Sequence, residues 1–144
     1  MNKQAYEFLN SARVLHWQWL RVKAKHDELE SCLLPGAIRY DRDKVQTSPD
    51  DIMGKILAEV NELEQRMEQL QVAKSKRIEE IYTIINSLQS DEERTVLTMR
   101  FISRIPVTEI AEAMGYAEPT IYKFMNQGSE EILKSIRNIN QGAI

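Results

Sequence analysis

The sequence predicts an all-α fold, and three observations predict it. Residues 2–31 contain neither Pro nor Gly, and residues 50–88 contain only Gly54. Across both stretches apolar residues return every three or four positions, the period of an amphipathic helix. Beyond Ser90, residues that start and stop helices alternate at short intervals. The expected architecture is a long N-terminal helical hairpin or coiled coil over residues 1–89. A compact helix-turn-helix domain over residues 90–144 follows it.

The first helix is expected from Asn2 to about Ser31, with Tyr6, Leu9, Ala12, Leu15, Trp19, Val22 and Leu29 forming its stripe. Trp17 and Leu20 widen that stripe, and Trp17 and Trp19 fall on different faces, so one of them is available to a second chain. Pro35-Gly36 ends the helix near Leu34. The connection over residues 37–47 is long for a helical hairpin, whose linkers run about 2–8 residues, and Ile38, Tyr40 and Val45 are its candidates for packing. Ser48-Pro49-Asp50-Asp51 then starts a helix. Ser48 supplies a capping oxygen, Pro49 has no N–H to lose at the first position, and the two carboxylates face the positive end of the helix dipole. Ile52, Ile56, Leu63, Met67 and Leu70, with Val60 near them, make a heptad-like seam that resumes at Ile78, Ile81, Ile85 and Leu88. A helix of about 40 residues spans about 60 Å and needs partners for that seam, which the first helix and a second copy of the chain would supply. Ser90 and Glu93 have the spacing of a capping box, and Pro106 separates the helix they open from the next.

Composition narrows the class. The chain of 144 residues has a formal net charge of -3 and one cysteine, Cys32, so no intrachain disulfide is possible and a reducing, cytoplasmic setting is expected. No apolar run has the length of a membrane span or a signal peptide. Charge is uneven: residues 1–47 carry +2, residues 48–90 carry -3 and residues 91–144 carry -2. The last segment is therefore not a basic domain that would hold phosphates by charge alone.

The functional signal lies between Val107 and Asn126. Ile110 and Met114 share a face of one short helix, and Ala111 is small enough for a close helix crossing. Gly115 is able to take the left-handed conformation that ends a helix and turns the chain. Tyr116 packs at the corner, and Ile121 and Phe124 anchor the second helix from within. This is the spacing of a DNA-binding helix-turn-helix, whose second helix enters the major groove. Glu118, Pro119, Tyr122, Lys123 and Asn126 then face outward, with Thr120 at the edge. An Asn amide matches adenine, a carboxylate accepts from cytosine N4, and Lys123 suits a phosphate or guanine. Tyr122 suits a thymine methyl or a phosphate. Arg100 and Arg104 are candidate phosphate contacts, with an internal ion pair the alternative for Arg100.

The run Glu93-Arg94-Thr95-Val96-Leu97-Thr98-Met99-Arg100-Phe101, followed by Glu109-Ile110-Ala111 and Met114-Gly115-Tyr116, resembles region 4 of bacterial sigma factors. With the Asp43-to-Asp51 stretch and the long helix behind it, the chain looks like the ArpU/RinA-type regulators of phages and prophages in Gram-positive bacteria. The resemblance implies a sigma-region-4-like domain that binds duplex promoter or operator DNA, RNA polymerase as a further partner, and a role in activating late phage genes. A homodimer is expected from the long helices.

Two features favour a different class, a protein-interaction module that contacts RNA polymerase or another regulator without reading sequence. Ala117 stands where Ser or Thr would cap the second helix, and Lys123 is the one basic residue on its outward face. An enzyme is not expected, since no nucleophile is paired with a base and the five glycines are scattered rather than gathered in a phosphate loop. No cofactor or metal is expected either. His16, His26 and Cys32 lack the paired spacing of metal ligands, and Asp41 and Asp43 lack the Gly and closing Glu of a calcium loop.

Overall fold

A computed structural model describes residues 1–33 and 49–142. The described chain is all-α, with helices α1 (Lys3–Leu9), α2 (Ser11–Ser31), α3 (Pro49–Asn86), α4 (Asp91–Leu97), α5 (Val107–Met114) and α6 (Glu118–Gly142). A π-helical turn, Thr98–Ile102, extends α4. No described helix is long and apolar enough to cross a membrane. Ser48, the expected cap of α3, and the connection carrying Ile38, Tyr40 and Val45 lie outside the described residues.

The chain divides into two compact units, residues 13–74 and residues 1–12 together with 75–144. This division does not follow the expected boundary at residues 89 and 90, because the first twelve residues and the end of α3 join the C-terminal elements.

In the unit of residues 13–74, α2 and α3 run antiparallel. Lys25 Nζ meets Glu59 at 2.7 Å and His26 Nε2 meets Glu64 at 3.0 Å, whereas Lys74 Nζ, further along α3, meets His16 Nδ1, earlier in α2, at 3.3 Å. Leu70 of the seam and Val60 beside it are buried, while Ile52, Ile56, Leu63 and Met67 are half-buried, as are Leu15, Trp19, Val22 and Leu29 opposite. His26 is buried within this stripe, 7 % exposed. A buried imidazole is costly unless its nitrogens are paired. Here Nδ1 lies 2.9 Å from Asp27 Oδ1 and Nε2 lies 3.0 Å from Glu64 Oε1. Carboxylates at both nitrogens, that of Glu64 first, hold the His26 pKa above its usual value.

In the other unit, Leu9, Ile81, Ile85, Val96, Leu97, Phe101, Ile110, Ile121 and Ile132 form one core. The single helix expected from Asn2 breaks at Asn10, where φ is -91° and ψ is 0°. Neither Pro nor Gly marks the break. Asn10 Oδ1 accepts from Arg104 Nη1 at 3.0 Å, and α1 packs against α6. The capping box at α4 is half formed. Ser90 Oγ accepts from the Glu93 N–H at 3.2 Å and its hydroxyl donates to Glu92, while the reciprocal bond from the Ser90 N–H to the Glu93 carboxylate is not made. Burial, with repulsion from Glu131 and Glu92, raises the Glu93 carboxyl pKa.

Candidate nucleic-acid interface

The α5–α6 pair is built from its turn outward. Gly115 has φ 75° and ψ 28°, a left-handed conformation that a side chain would strain. Its N–H and that of Tyr116 both donate to the Ala111 carbonyl, at 2.9 and 3.0 Å, which closes α5. Ala111 and Ile110 are buried. Tyr116 meets Phe124 edge to face with ring centroids 5.3 Å apart, so the corner is pinned by an aromatic pair. Ala117 precedes α6 and offers no capping side chain; its carbonyl accepts from Thr120 and Ile121.

Helix α6 is held from within by Ile121, Met125, Ser129, Ile132 and Leu133, all buried. Gly128 lets it cross α4 closely: a Cβ there would lie 2.7 Å from Leu97 Cδ1. The buried Ser129 hydroxyl donates to the Asn126 carbonyl at 2.8 Å, so no polar atom is stranded.

The outward residues fall where the spacing predicts. Glu118, Pro119, Tyr122, Lys123 and Asn126 are exposed, and Thr120 is half-buried at the edge. Gln127, also exposed, belongs beside Asn126 on this surface and was not among the expected contacts. Phe124 is only half-buried, and Met125 is the deeper anchor. The two arginines differ from the α6 residues. Arg100 is half-buried in the π-helical turn. Arg104 has a left-handed φ of 61° and is tied to Asn10, so it braces α1 against the turn. The π turn is marked by the Ser103 N–H reaching back five residues to the Thr98 carbonyl at 3.1 Å, and within it Phe101 is buried with its ring 6.0 Å from Tyr6.

What this surface offers chemically is an amide, a phenol, a carboxylate and one ammonium on a rigid helix, a set suited to groove edges more than to bulk phosphate attraction. His16, His26 and Cys32 do not gather. His16 stacks on Trp19 and meets Lys74, and Cys32 Sγ donates to the Glu28 carbonyl. One set of described side chains, His26, Asp27 and Glu30, brings potential ligand atoms within 4.8 Å of one another, but both His26 nitrogens are paired with carboxylates as described.

Residues 38–133, two-thirds of the chain, match a family model described as Protein of unknown function (DUF1492). No curated protein and no solved structure matches.

Proposed function

The chain belongs to the DUF1492 family of proteins of unknown function, and on the strength of its α5–α6 arrangement we propose that it is a DNA-binding transcription regulator and not an enzyme. One observation carries this reading. The same helix that buries Ile121 and Met125 presents Glu118, Pro119, Tyr122, Lys123 and Asn126 to solvent, directly after a turn fixed by a left-handed glycine.

In this reading α5 and α6 are a helix-turn-helix of the sigma-region-4 type, and α6 lies in the major groove of duplex DNA. Asn126 reads adenine, Glu118 accepts from a cytosine N4 amine, and Lys123 takes a phosphate or guanine. Tyr122 lies against a thymine methyl or a phosphate. Thr120 and Pro119 line the approach to the backbone, and Arg100 adds a phosphate contact. Arg104 acts mainly by holding the π-helical turn. The paired α2 and α3 form the helical hairpin, a coiled-coil module separate from DNA reading. The likeness to ArpU/RinA-type regulators supports a phage or prophage setting, activation of late genes, and contact with RNA polymerase.

The test is salt-dependent binding to DNA fragments from around the gene and neighbouring phage operons. The expected result is a preference for one fragment that weakens as salt rises. Lys123→Ala should lower the salt slope by about 1, and Asn126→Ala should cost about 1–3 kcal/mol on the preferred fragment. Both residues are exposed, so melting should not change. Absence of preference for any fragment at low salt, together with capture of RNA polymerase that survives both substitutions, would support the protein-interaction alternative suggested by the uncapped, cation-poor helix.

A further inference from the structure

Helix α2 has a second apolar face that no described residue of its own unit covers. Its inner face, through Leu15, Trp19, Val22, His26 and Leu29, meets α3. At about 100° per residue, Trp17 points away from that stripe. It is 43 % exposed, and Val14 and Leu20 beside it are 41 % and 45 % exposed. Along the same outward face lie Arg13, Arg21, Ala24 and Glu28, all exposed. The Arg13 guanidinium sits 5.1 Å from the centroid of the Trp17 ring. Among the described residues Glu28 makes no side-chain ion pair.

The order of these residues is self-complementary in one direction only. A second copy of α2, running antiparallel and centred between Leu20 and Arg21, sets Arg13 opposite Glu28 at both ends. The same register sets Trp17 against Ala24, a large ring over a methyl group, and brings the two Leu20 side chains together at the centre. The two Arg21 side chains meet in the same way on the opposite edge of the face from Leu20, where their guanidinium groups turn outward to solvent. A parallel pairing would instead oppose Arg13 to Arg13 and Glu28 to Glu28, placing like charges together.

We propose that the outward face of α2 is a homodimerisation surface, on which a second copy of this chain packs antiparallel through Trp17, Leu20 and Ala24 and is held in register by Arg13 and Glu28. The inference does not rest on the DNA-binding reading. It supplies a partner surface on the unit that carries none of the α6 contacts, and its test reads association without DNA. The contact is one helix face wide, so the dimer forms and dissociates with concentration rather than being permanent.

Sedimentation of the full chain over a concentration series tests it. The wild-type chain should show a monomer–dimer equilibrium. Trp17→Ala, which removes an exposed side chain, should weaken the dimer roughly thirtyfold or more, as expected for a central aromatic anchor, with unchanged helicity. Arg13→Glu and Glu28→Arg should each weaken it, and the double exchange should restore association towards wild type. A wild-type chain that stays monomeric at high concentration would overturn the proposal. So would a dimer indifferent to Trp17→Ala, or a double exchange no better than either single change.

Discussion

The two units solve the same problem with different numbers of helices. In the unit of residues 13–74, two helices face each other, and the best-covered apolar side chains, Val60 and Leu70, are each 3 % exposed, while most of the stripe is half-buried. In the other unit, several short helices surround Ile81, Ile85, Val96, Leu97, Ile110, Ile121 and Ile132, and these are sealed to between 0 and 1 %. Two cylinders touch along a line and leave each side chain open on its flanks; a third element closes it. The two-helix unit also buries an imidazole, that of His26, in its stripe. Burial follows the number of helices that surround a side chain.

The largest test of this contrast is Ile121→Ala against Leu63→Ala. The first empties a sealed site and should cost about 3–4 kcal/mol; the second trims a half-buried one and should cost about 1–2 kcal/mol. The two tryptophans, Trp17 and Trp19, both lie in the two-helix unit. Their fluorescence therefore reports that unit, while far-UV circular dichroism reports the whole chain. In urea, Ile121→Ala should lower the dichroism midpoint more than the fluorescence midpoint. Equal shifts in both would mean one cooperative structure and would erase the contrast.

A smaller effect is the pH dependence of the two-helix unit. The His26 pKa is raised in the folded state by Glu64 and Asp27, with Glu30 nearby. The folded state therefore holds its proton more tightly. This stabilisation is complete below the unfolded value of 6.5 and is lost as pH rises through the higher folded value. The fluorescence-detected midpoint should fall as pH is raised above about 6.5, and His26→Gln should flatten that dependence. A wild-type midpoint that does not change over this range would show that the carboxylates do not hold the imidazolium.

The smallest effect is expected at Glu93, in the closed unit. Its pKa is raised by burial and by Glu131 and Glu92, so ionisation on the way to neutral pH opposes folding. Glu93→Gln should raise the melting temperature slightly at neutral pH, with the gain vanishing in acid where the wild-type carboxyl is already protonated. A loss of stability at neutral pH would mean that the carboxylate makes a favourable contact there.

Much of this was readable from residue order. The helical class, the α3 seam and the α5–α6 turn follow from periodicity and from single punctuating residues such as Gly115, whose role is local. The outward set on α6 follows from the same periodicity once Ile121 is placed inside. His26 also occupies a stripe position, four after Val22 and three before Leu29; its residue type concealed it, because a polar ring is buried only when distant Glu64 is there to meet it. The break at Asn10 has no local marker, since its side chain is engaged by Arg104, 94 positions away. The π-helical turn is an inserted residue in a hydrogen-bond ladder, a backbone event that propensity does not encode. Gly128 reads as a weak point in a helix until the nearness of Leu97 is known.

Helix α1 carries a consequence for how the chain is made. Leu9 shares a core with Ile121 and Ile132, more than a hundred residues later. On a ribosome the first of these emerges long before the others, so α1 lacks its α6 partners while α2 and α3 are already free to pair. Residues 13–74 are thus placed to be the early-forming part, and the core that positions α6 is finished only when both flanks of the polypeptide have met. That order makes closing the long loop between them the slow step, a cost in chain entropy that no local helix propensity offsets.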